Sequence, residues 1–426
     1  MRSHKLTALV AAAASALALT ACGGGQDGSE AGQDGEVTLT WWHNGTSDPL
    51  LGLYQKVAED YMAATPGVKI DVQAIQEEDF KNKLPVALQG DDYPDIYHNQ
   101  GGGNLASEVE SGHVADLTEA TSSWLGELGS APDGWILDGK VYGVPISLHA
   151  VGFWYNIELF EQAGISQTPT TFSEFETVID KLKAAGVAPI ALGGKDRWPD
   201  AFYYNFFAIR NCSVDVLKTS LAAGQLEDAC FVKAGQDTLD FIASEPFQEG
   251  FNGTPAQQGI GSSAGMVADG KAAMELQGDW DLSVMMALAT DPDFESKIGW
   301  FPFPAIEGAP GDPTATQGGG DGFSCTDRQV AECADFLKYL ASLEVQEQLL
   351  SSGAASIPAR GEAASVLDKP VMKAISDFNA KAGYVQTYFD ISLSTAKGQA
   401  LDDAVANLFA GQGDAGSVAK AVNETE

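Results

Sequence analysis

Strand patterns alternate with helix patterns along this chain. Residues 36–42 alternate apolar and polar side chains like a β-strand, residues 49–64 carry apolar residues at helical spacing, and residues 68–73 give a second strand. A right-handed crossover would make the two strands parallel. The order returns later, with helices predicted over 157–163 and 171–185 and a strand over 188–192. The pattern predicts an α/β fold of two lobes, each a doubly wound mixed sheet flanked by helices.

The middle of the chain indicates where the lobes join. Residues 140–145 and 150–156 are predicted as a pair of apolar strands joined through residues 146–149. Helices dominate from residue 328 onward, broken at 351–360 and 383–390. We therefore expect hinge crossings near 146–149, near 318–321 and before residue 384. The predicted first lobe is 36–146 with 324–380, and the second is 147–323 with 381–426.

The amino terminus has the pattern of a lipoprotein signal. Basic residues at positions 2, 4 and 5 precede an apolar stretch over 6–19, and Leu19-Thr20-Ala21-Cys22 forms the cleavage site. We predict a signal peptide over 1–21, lipidation of Cys22, and a flexible Gly-rich tether over 22–35. The other interpretation is an ordinary signal peptide with a chance cysteine. Either one exports the chain, and the first holds it at the extracellular face of the cell membrane.

Four further cysteines remain, an even number for an exported chain. Local pairing of Cys212 with Cys230 and of Cys325 with Cys333 is the most economical arrangement. A zinc site would need closer cysteine spacing and neighbouring histidines, whereas the histidines here are scattered singly. No metal or other cofactor is expected.

The chain is strongly acidic, with 59 Asp and Glu against 24 Lys and Arg and a formal net charge of −35. That sign argues against nucleic acid and against an anionic membrane surface as partners. It does not by itself indicate a cationic ligand, because acidic surfaces commonly serve solubility.

Six segments in order resemble the family 1 extracellular solute-binding proteins, the sugar-binding subunits of ABC importers. They are Leu39-Thr40-Trp41-Trp42, the segment from Phe80 to Ile96, Asp138-Gly139-Lys140-Val141-Tyr142-Gly143-Val144-Pro145, Trp154-Tyr155-Asn156-Ile157-Glu158-Leu159-Phe160, the segment from Gly270 to Trp280, and Ser356-Ile357-Pro358-Ala359-Arg360. Each is weak alone, but together they span the chain in the expected order.

The resemblance implies a two-lobed periplasmic-binding-protein-like fold of type II that closes on a sugar and delivers it to a membrane permease. The implied partners are a di- or oligosaccharide ligand and the transmembrane subunits of the permease. The membrane is reached through the lipid anchor only, and the chain is expected to be a monomer without enzymatic activity.

A sugar presents C–H patches and a ring of hydroxyls, so its site needs flat aromatic surfaces and planar polar groups. Loops after the predicted strands hold that mixture, at the edge where ligands gather in open α/β sheets. The candidate ligand-binding residues are Trp42, His43, Asn44, Asn99, Gln100, His149, Lys195, Asp196, Arg197, Trp198, Gln277, Trp280, Gly320, Asp321, Tyr388 and Asp390.

Several candidates have a second interpretation. Trp42 can belong to the core, as Trp41 does by alternation, and His149 can be satisfied by backbone groups. Asp196 and Arg197 can form a surface ion pair. Trp280 follows a strand and a glycine-containing turn, which favours a stacking role.

Other classes of function have less support in the sequence. Residues 261–265 match the G-x-S-x-G nucleophile elbow, but the strand that this motif requires does not precede them. A glycoside hydrolase with paired carboxylates, for example Asp196 and Asp390, remains the alternative. A non-sugar ligand such as a polyol or a glycerophosphodiester is a third possibility. The acidic loops would repel the phosphate of a glycerophosphodiester.

Overall fold

The computed structural model describes residues 36–426. The predicted signal peptide over 1–21, Cys22 and the tether over 22–35 lie outside the described residues. Within 36–426, no helix combines the length and the apolar composition that crossing a membrane requires.

Twelve strands occur in the described part of the chain. In order they are β1 (Val37–His43), β2 (Val68–Ala74), β3 (Ile96–Asn99), β4 (Ile136–Leu137), β5 (Lys140–Val141), β6 (Val144–Asn156), β7 (Ala188–Ile190), β8 (Ala272–Gly278), β9 (Ile298–Pro302), β10 (Thr316–Cys325), β11 (Ile357–Pro358) and β12 (Val385–Thr387).

Seventeen α-helices, with several short 3₁₀ turns, connect these strands over residues 36–426. In order they are α1 (Leu50–Ala64), α2 (Glu77–Leu88), α3 (Gly102–Val109), α4 (Thr118–Thr121), α5 (Ile157–Gln162), α6 (Phe172–Ala184), α7 (Trp198–Asn211), α8 (Val214–Ala223), α9 (Ala229–Ala243), α10 (Ser263–Ala268), α11 (Asp281–Leu288), α12 (Val330–Leu340), α13 (Leu343–Ser352), α14 (Pro370–Asn379), α15 (Phe389–Ser392), α16 (Thr395–Phe409) and α17 (Ser417–Glu424).

Ten strands are joined in the order β2-β1-β3-β10-β6-β8-β7, with β9 and β11 also paired to β6 and β12 paired to β10. β1 runs parallel to β2 and β3, as the predicted β–α–β unit requires. β10 runs antiparallel to both β3 and β6. The sheet is therefore mixed, and the predicted two-lobed α/β fold is confirmed.

β6 is one continuous strand of 13 residues. The prediction of two strands joined through residues 146–149 was wrong, because this stretch stays in the ladder and pairs with β10 and β11. From Val151 onward the partners of β6 change to β8 and β9. A single strand thus carries the chain from one half of the sheet into the other.

Separate hydrophobic clusters lie on either side of that change. One surrounds Trp41 and Phe323, beneath α1, α12 and α13. A larger one packs β6, α6, α7 and α9 with α15, α16 and α17 around aromatic pairs such as Phe153 and Phe301, whose rings stack 5.2 Å apart. The two lobes therefore have distinct cores. The exact lobe limits remain a prediction. Met372 and Ile375, which were assigned to the first lobe, pack in a further cluster with Trp154, which was assigned to the second.

Both predicted disulfides are present. Cys212 at the end of α7 pairs with Cys230 in α9, and Cys325 at the end of β10 pairs with Cys333 in α12. Each bond closes a short loop, of 18 and 8 residues in sequence separation. Each ties a helix to a neighbouring element within one of the two cores.

Candidate functional site

A central cavity of about 160 Å³ lies between the two cores. Its wall combines loop residues that follow β1, the first turns of α2, the crossing strands β6 and β10, and aromatic side chains from α7, the β8–α11 turn and the turn before α15. The lining residues are Asn44, Gly45, Thr46, Ser47, Leu50, Glu77, Lys81, Gln100, His149, Trp198, Phe202, Gln257, Trp280, Ser283, Val284, Asp321, Ala354, Tyr388, Asp390 and Ile391.

The aromatic wall is built around Trp280. Its ring meets the imidazole of His149 edge-on at 5.0 Å and the ring of Tyr388 edge-on at 6.3 Å. The indole lies directly over Gly278, where a Cβ atom would collide with it. A glycine at position 278 is therefore what allows the indole to fold back along the chain and border the cavity.

A second aromatic group continues this wall. Trp198 packs edge-on against Phe202 at 5.4 Å, one helical turn further along α7. Phe202 in turn lies 5.7 Å from Tyr388. The Tyr388 hydroxyl is buried and has no hydrogen-bond partner among the described residues. A buried hydroxyl without a partner is uncommon in folded proteins.

A chain of hydrogen bonds forms the floor of the cavity. Asp321 on β10 contacts His98 Nε2 through Oδ1 at 2.9 Å and His149 Nε2 through Oδ2 at 3.0 Å. The other ring nitrogen of His149, Nδ1, contacts Asp279 Oδ1 at 2.8 Å. Asp279 Oδ2 accepts from the Ser356 backbone amide at 3.0 Å and from its hydroxyl. The network ties β3, β6, β10, the end of β8 and the segment before β11 into one unit.

The histidines and carboxylates of this network shift one another's pKa values toward the charged forms. Burial alone would lower the pKa of His149, but Asp279 and Asp321 outweigh it and raise the pKa to about 10. Burial would raise the pKa of Asp321, but His149 and His98 hold it well below its usual range. Both nitrogens of His149 therefore carry protons and donate to carboxylates, as an imidazolium does.

A second polar group lies at the side of the cavity. Lys81 Nζ is 4.0 Å from Glu77 Oε1 on its own helix and 4.0 Å from Asp390 Oδ2 on the opposite lobe. Burial opposes the charge of Lys81, but Asp390 and Glu77 outweigh it and raise its pKa. Burial raises the pKa of Asp390, against the opposing charge of Lys81. One ammonium group is thus shared by carboxylates from both lobes.

Eight of the sixteen predicted residues line the central cavity: Asn44, Gln100, His149, Trp198, Trp280, Asp321, Tyr388 and Asp390. They come from both halves of the sequence and are brought together by the crossing strands. Their contacts with a ligand remain a prediction. His149 is held by the side chains of Asp279 and Asp321, and not by backbone groups as its second interpretation supposed.

Three predicted residues near β1 and β3 lie outside the cavity wall. Trp42 packs against Phe80 and Leu84, with Lys83 Nζ 3.8 Å from its ring centroid. His43 is fully buried beside Tyr54, and burial lowers its pKa to about 4. Asn99 donates to Ser324 Oγ at 2.5 Å and accepts from Trp135 Nε1 at 2.6 Å.

The remaining five predicted residues are also outside the central cavity. Lys195 and Arg197 line a separate surface recess, where Arg197 forms an ion pair with Asp403. Asp196 Oδ2 accepts from the Ala256 amide at 2.8 Å. Gln277 is fully buried, and its side-chain oxygen accepts from the Gly278 amide. Gly320 pairs with Leu148 in the sheet and lines a second cavity.

Sequence reasoning missed several lining residues. Glu77 and Lys81 are one helical turn apart on α2, and Phe202 is one turn from Trp198 on α7. An i, i+4 spacing places both members of such a pair on the same helix face, so this pattern was available in the sequence. Gln257 and Ser283 gave no comparable signal.

Two further cavities adjoin the central one. The second, of about 580 Å³, shares Gln100 and His149 with it. The third, of about 640 Å³, shares Glu77, Lys81 and Asp390 among others. The central cavity is thus continuous with both neighbours through shared lining residues. No set of three or more His, Cys, Asp or Glu side chains within 36–426 has the arrangement of a metal site.

The raised pKa of His149 gives a prediction for stability. A group whose pKa rises from 6.5 to about 10 on folding contributes stability that is complete below pH 6.5 and is lost as the pH rises toward 10. We expect His149→Gln to lower the free energy of unfolding at pH 6 by about 3 kcal/mol or more, because the fully buried Asp279 and the partly buried Asp321 lose their partner. The deficit should shrink between pH 7 and pH 10.

Denaturant unfolding of parent and variant across that pH range measures the deficit. The difference between the two proteins is the relevant quantity, because Asp200 and Asp281 are also buried with raised pKa values of about 8 and 7. His113→Gln is the matched control, since the His113 ring lies 3.4 Å from one carboxylate, that of Asp327, at the half-exposed surface. A deficit for His149→Gln that does not vary with pH would contradict the charged imidazole.

Several curated relatives match this chain in sequence over much of their length. The chain is 27% identical to the diacetylchitobiose binding protein DasA of Streptomyces coelicolor over 315 residues, covering 71% of this chain and 69% of that protein. It is 23% identical to the multiple sugar-binding protein of Streptococcus mutans over 345 residues, covering 78% of each. Across these two and a third relative, the alignments cover 61% to 78% of the relatives' lengths.

Among solved structures, one from work on xylan utilization by the thermophilic bacterium Caldanaerobius polysaccharolyticus superposes with a TM-score of 0.82 and 27% identity, covering 91% of this chain and 99% of that one. The model of the family described as bacterial extracellular solute-binding protein matches residues 45–347, well over half of the sequence. This chain therefore belongs to the bacterial extracellular solute-binding protein family.

Proposed function

We propose that this chain is the substrate-binding subunit of an ABC importer, held at the extracellular face of the cell membrane by a lipid on Cys22. It captures a di- or oligosaccharide between its two lobes as a monomer and delivers it to the permease. The observation that carries the proposal is the union, in one cavity, of the aromatic wall around Trp280 with charged and amide side chains from the facing lobe.

The aromatic wall suits the apolar faces of a sugar ring. Trp280, Trp198 and Tyr388 border the cavity from the second lobe, and their packing against one another and against Phe202 fixes their orientation. Rigid aromatic surfaces bind C–H patches at little entropic cost, since few rotamers have to be frozen.

The facing polar groups suit sugar hydroxyls. Lys81 donates, Glu77 and Asp321 accept, and the amides of Asn44 and Gln100 do both. A hydroxyl both donates and accepts, so a mixed wall satisfies it better than a wall of one sign. The arrangement favours a neutral polyhydroxylated ligand, and the carboxylates disfavour a phosphate-bearing one such as a glycerophosphodiester.

The size of the site favours more than one sugar unit. The central cavity of about 160 Å³ is small for a ligand site, but it adjoins the second and third cavities through shared residues. A ligand that crosses from one cavity into the next would pass His149 or Lys81. The names of the two relatives also refer to sugars: DasA is a diacetylchitobiose binding protein, and the protein of Streptococcus mutans is a multiple sugar-binding protein.

The glycoside hydrolase alternative needs two carboxyl groups facing one bond. Asp196 is engaged by the Ala256 amide and does not line the central cavity, whereas Asp390 does and lies beside Lys81. This separation removes the pair Asp196 and Asp390 that the sequence suggested for cleavage.

A thermal-shift screen against neutral di- and oligosaccharides tests the proposal, with a polyol and a glycerophosphodiester as the other ligand classes. A ligand at 100 times its dissociation constant stabilises the folded state by about 2.7 kcal/mol. Any sugar that binds is then incubated as a reducing-end-labelled oligosaccharide. We expect it to be returned intact. Cleavage would support the hydrolase, and a shift with the other ligand classes alone would exclude sugar capture.

Trp280 should contribute much of the affinity. We expect Trp280→Ala to weaken sugar binding by about 2–4 kcal/mol, because a buried aromatic contact at the centre of a site commonly has this effect. Titration calorimetry of the folded variant measures the loss. Trp300→Ala is the control, since Trp300 packs against Phe378 away from the cavity.

The control should lower the melting temperature and leave affinity unchanged, because truncating a packed tryptophan costs stability with or without sugar. A Trp280→Ala variant that behaves in the same way would remove Trp280 from the binding site.

The anchor is tested separately from ligand capture. In a bacterium that processes lipoproteins, the parent should fractionate with membranes and Cys22→Ala should be released from them, because a lipid on the cysteine is the only attachment proposed. Cell fractionation with immunodetection measures this. Equal membrane association of the parent and the variant would contradict the lipidation of Cys22.

A further inference from the structure

A close backbone contact joins the two lobes beside the cavity. Gly102 and Gly103 begin α3, which follows β3 of the first lobe. Across from them, Ile391 and Leu393 belong to the hydrophobic cluster of the second lobe. We call the contact between these four residues the interlobe seam.

The seam leaves no room for a side chain. A Cβ atom on Gly103 would collide with the carbonyl group of Leu393 and would lie 2.6 Å from the carbonyl oxygen of Ser392. A Cβ atom on Gly102 would lie 2.7 Å from the carbonyl oxygen of Ile391. These obstacles are backbone atoms, which cannot rotate away as the end of a flexible side chain can.

Gly103 is distinct in its backbone conformation. Gly102 has a φ of +66°, a backbone conformation that itself favours glycine. Gly103 does not have a positive φ. In a helix, alanine is more favourable than glycine by its intrinsic propensity. Only the approach of the second lobe therefore requires a glycine at position 103.

Few attractive contacts hold the seam together. Thr395 donates its amide to Ser107 Oγ at 3.4 Å, and Lys81 lies 4.0 Å from Asp390. The hydrogen bond is long for its kind, and Lys81 keeps its second partner, Glu77 on its own helix, if Asp390 moves away. A contact that is tight in shape but crossed by few polar bonds can open without leaving many polar groups unpaired, as a closing surface requires.

The seam also borders the ligand site without lining its centre. Ile391 lies in the wall of the central cavity and Gly102 in that of the second, whereas Gly103 lines neither of them nor the third. A change at Gly103 can thus alter how far the lobes approach without removing a ligand contact.

We propose that Gly103 is a positioning residue for capture: it lets the lobes meet at the seam when ligand is bound, and the seam opens when the ligand leaves. The inference rests on the proposed function, since it concerns the closed form that holds a ligand. A side chain introduced at position 103 would hold the lobes apart and destabilise the closed form.

Gly103→Ala tests the proposal, with Gly126→Ala as the control. Gly126 lies on a 3₁₀ turn of the first lobe, and a Cβ atom there meets nothing within 4 Å. Without ligand, Gly103→Ala should melt at the parent temperature or slightly above it. With a sugar that binds the parent, its affinity should fall by about tenfold or more, mainly through faster dissociation, and Gly126→Ala should match the parent in both assays.

Two results would overturn the proposal. A clear loss of melting temperature for Gly103→Ala without ligand would show that the seam is permanent packing. Parent-like affinity in the folded variant would show that capture does not need the seam. If no sugar binds the parent, the proposed function fails, and the ligand-free melting comparison still decides whether the seam is permanent.

Discussion

The carboxylate of Asp321 bridges strands that run between the two lobes. It joins His98 on β3 to His149 on β6, and His149 passes the connection to Asp279 at the end of β8. Removing one charge from this network would leave neighbouring charges unpaired, which destabilises the folded state far more than the loss of a surface ion pair does. Beside this carboxylate the register between the two strands shifts, because β6 carries one extra residue, Ile146, opposite Asp321 and Gly322 of β10. The crossing strands are thus both the link between lobes and the floor of the site.

The two walls of the cavity differ in chemistry, and the difference follows from the cores behind them. The second lobe has the larger aromatic core, so Trp280 and Tyr388 reach the cavity as its extensions. The first lobe contributes loop residues after β1 and the polar start of α2, including Glu77 and Lys81. A sugar held between such walls would meet an aromatic face on one side and hydrogen-bonding groups on the other. Closure of the lobes would complete both sets of contacts at once.

Local patterns predicted the parts of the fold that depend on local physics. The β1–α1–β2 unit and both disulfides were predicted because periodicity and short cysteine spacing determine them. The continuous β6 was missed, because Ser147 and His149 look like a polar break until their buried partners are known. Trp42 and His43 were predicted as ligand contacts because they precede the loop that lines the cavity; the structure buries both side chains at the end of β1, and their contact with a ligand stays a prediction. Long-range contacts decided every one of these differences.

If this chain captures sugar as proposed, binding should draw the two lobes together around the network of Asp321. Small-angle X-ray scattering of the protein, with and without a sugar whose binding has been established by calorimetry, measures this movement. Closure predicts a smaller radius of gyration in the presence of that sugar, since hinge movement about a few crossing segments brings separate masses together. An unchanged radius of gyration at saturating sugar would show that the lobes do not close on the ligand.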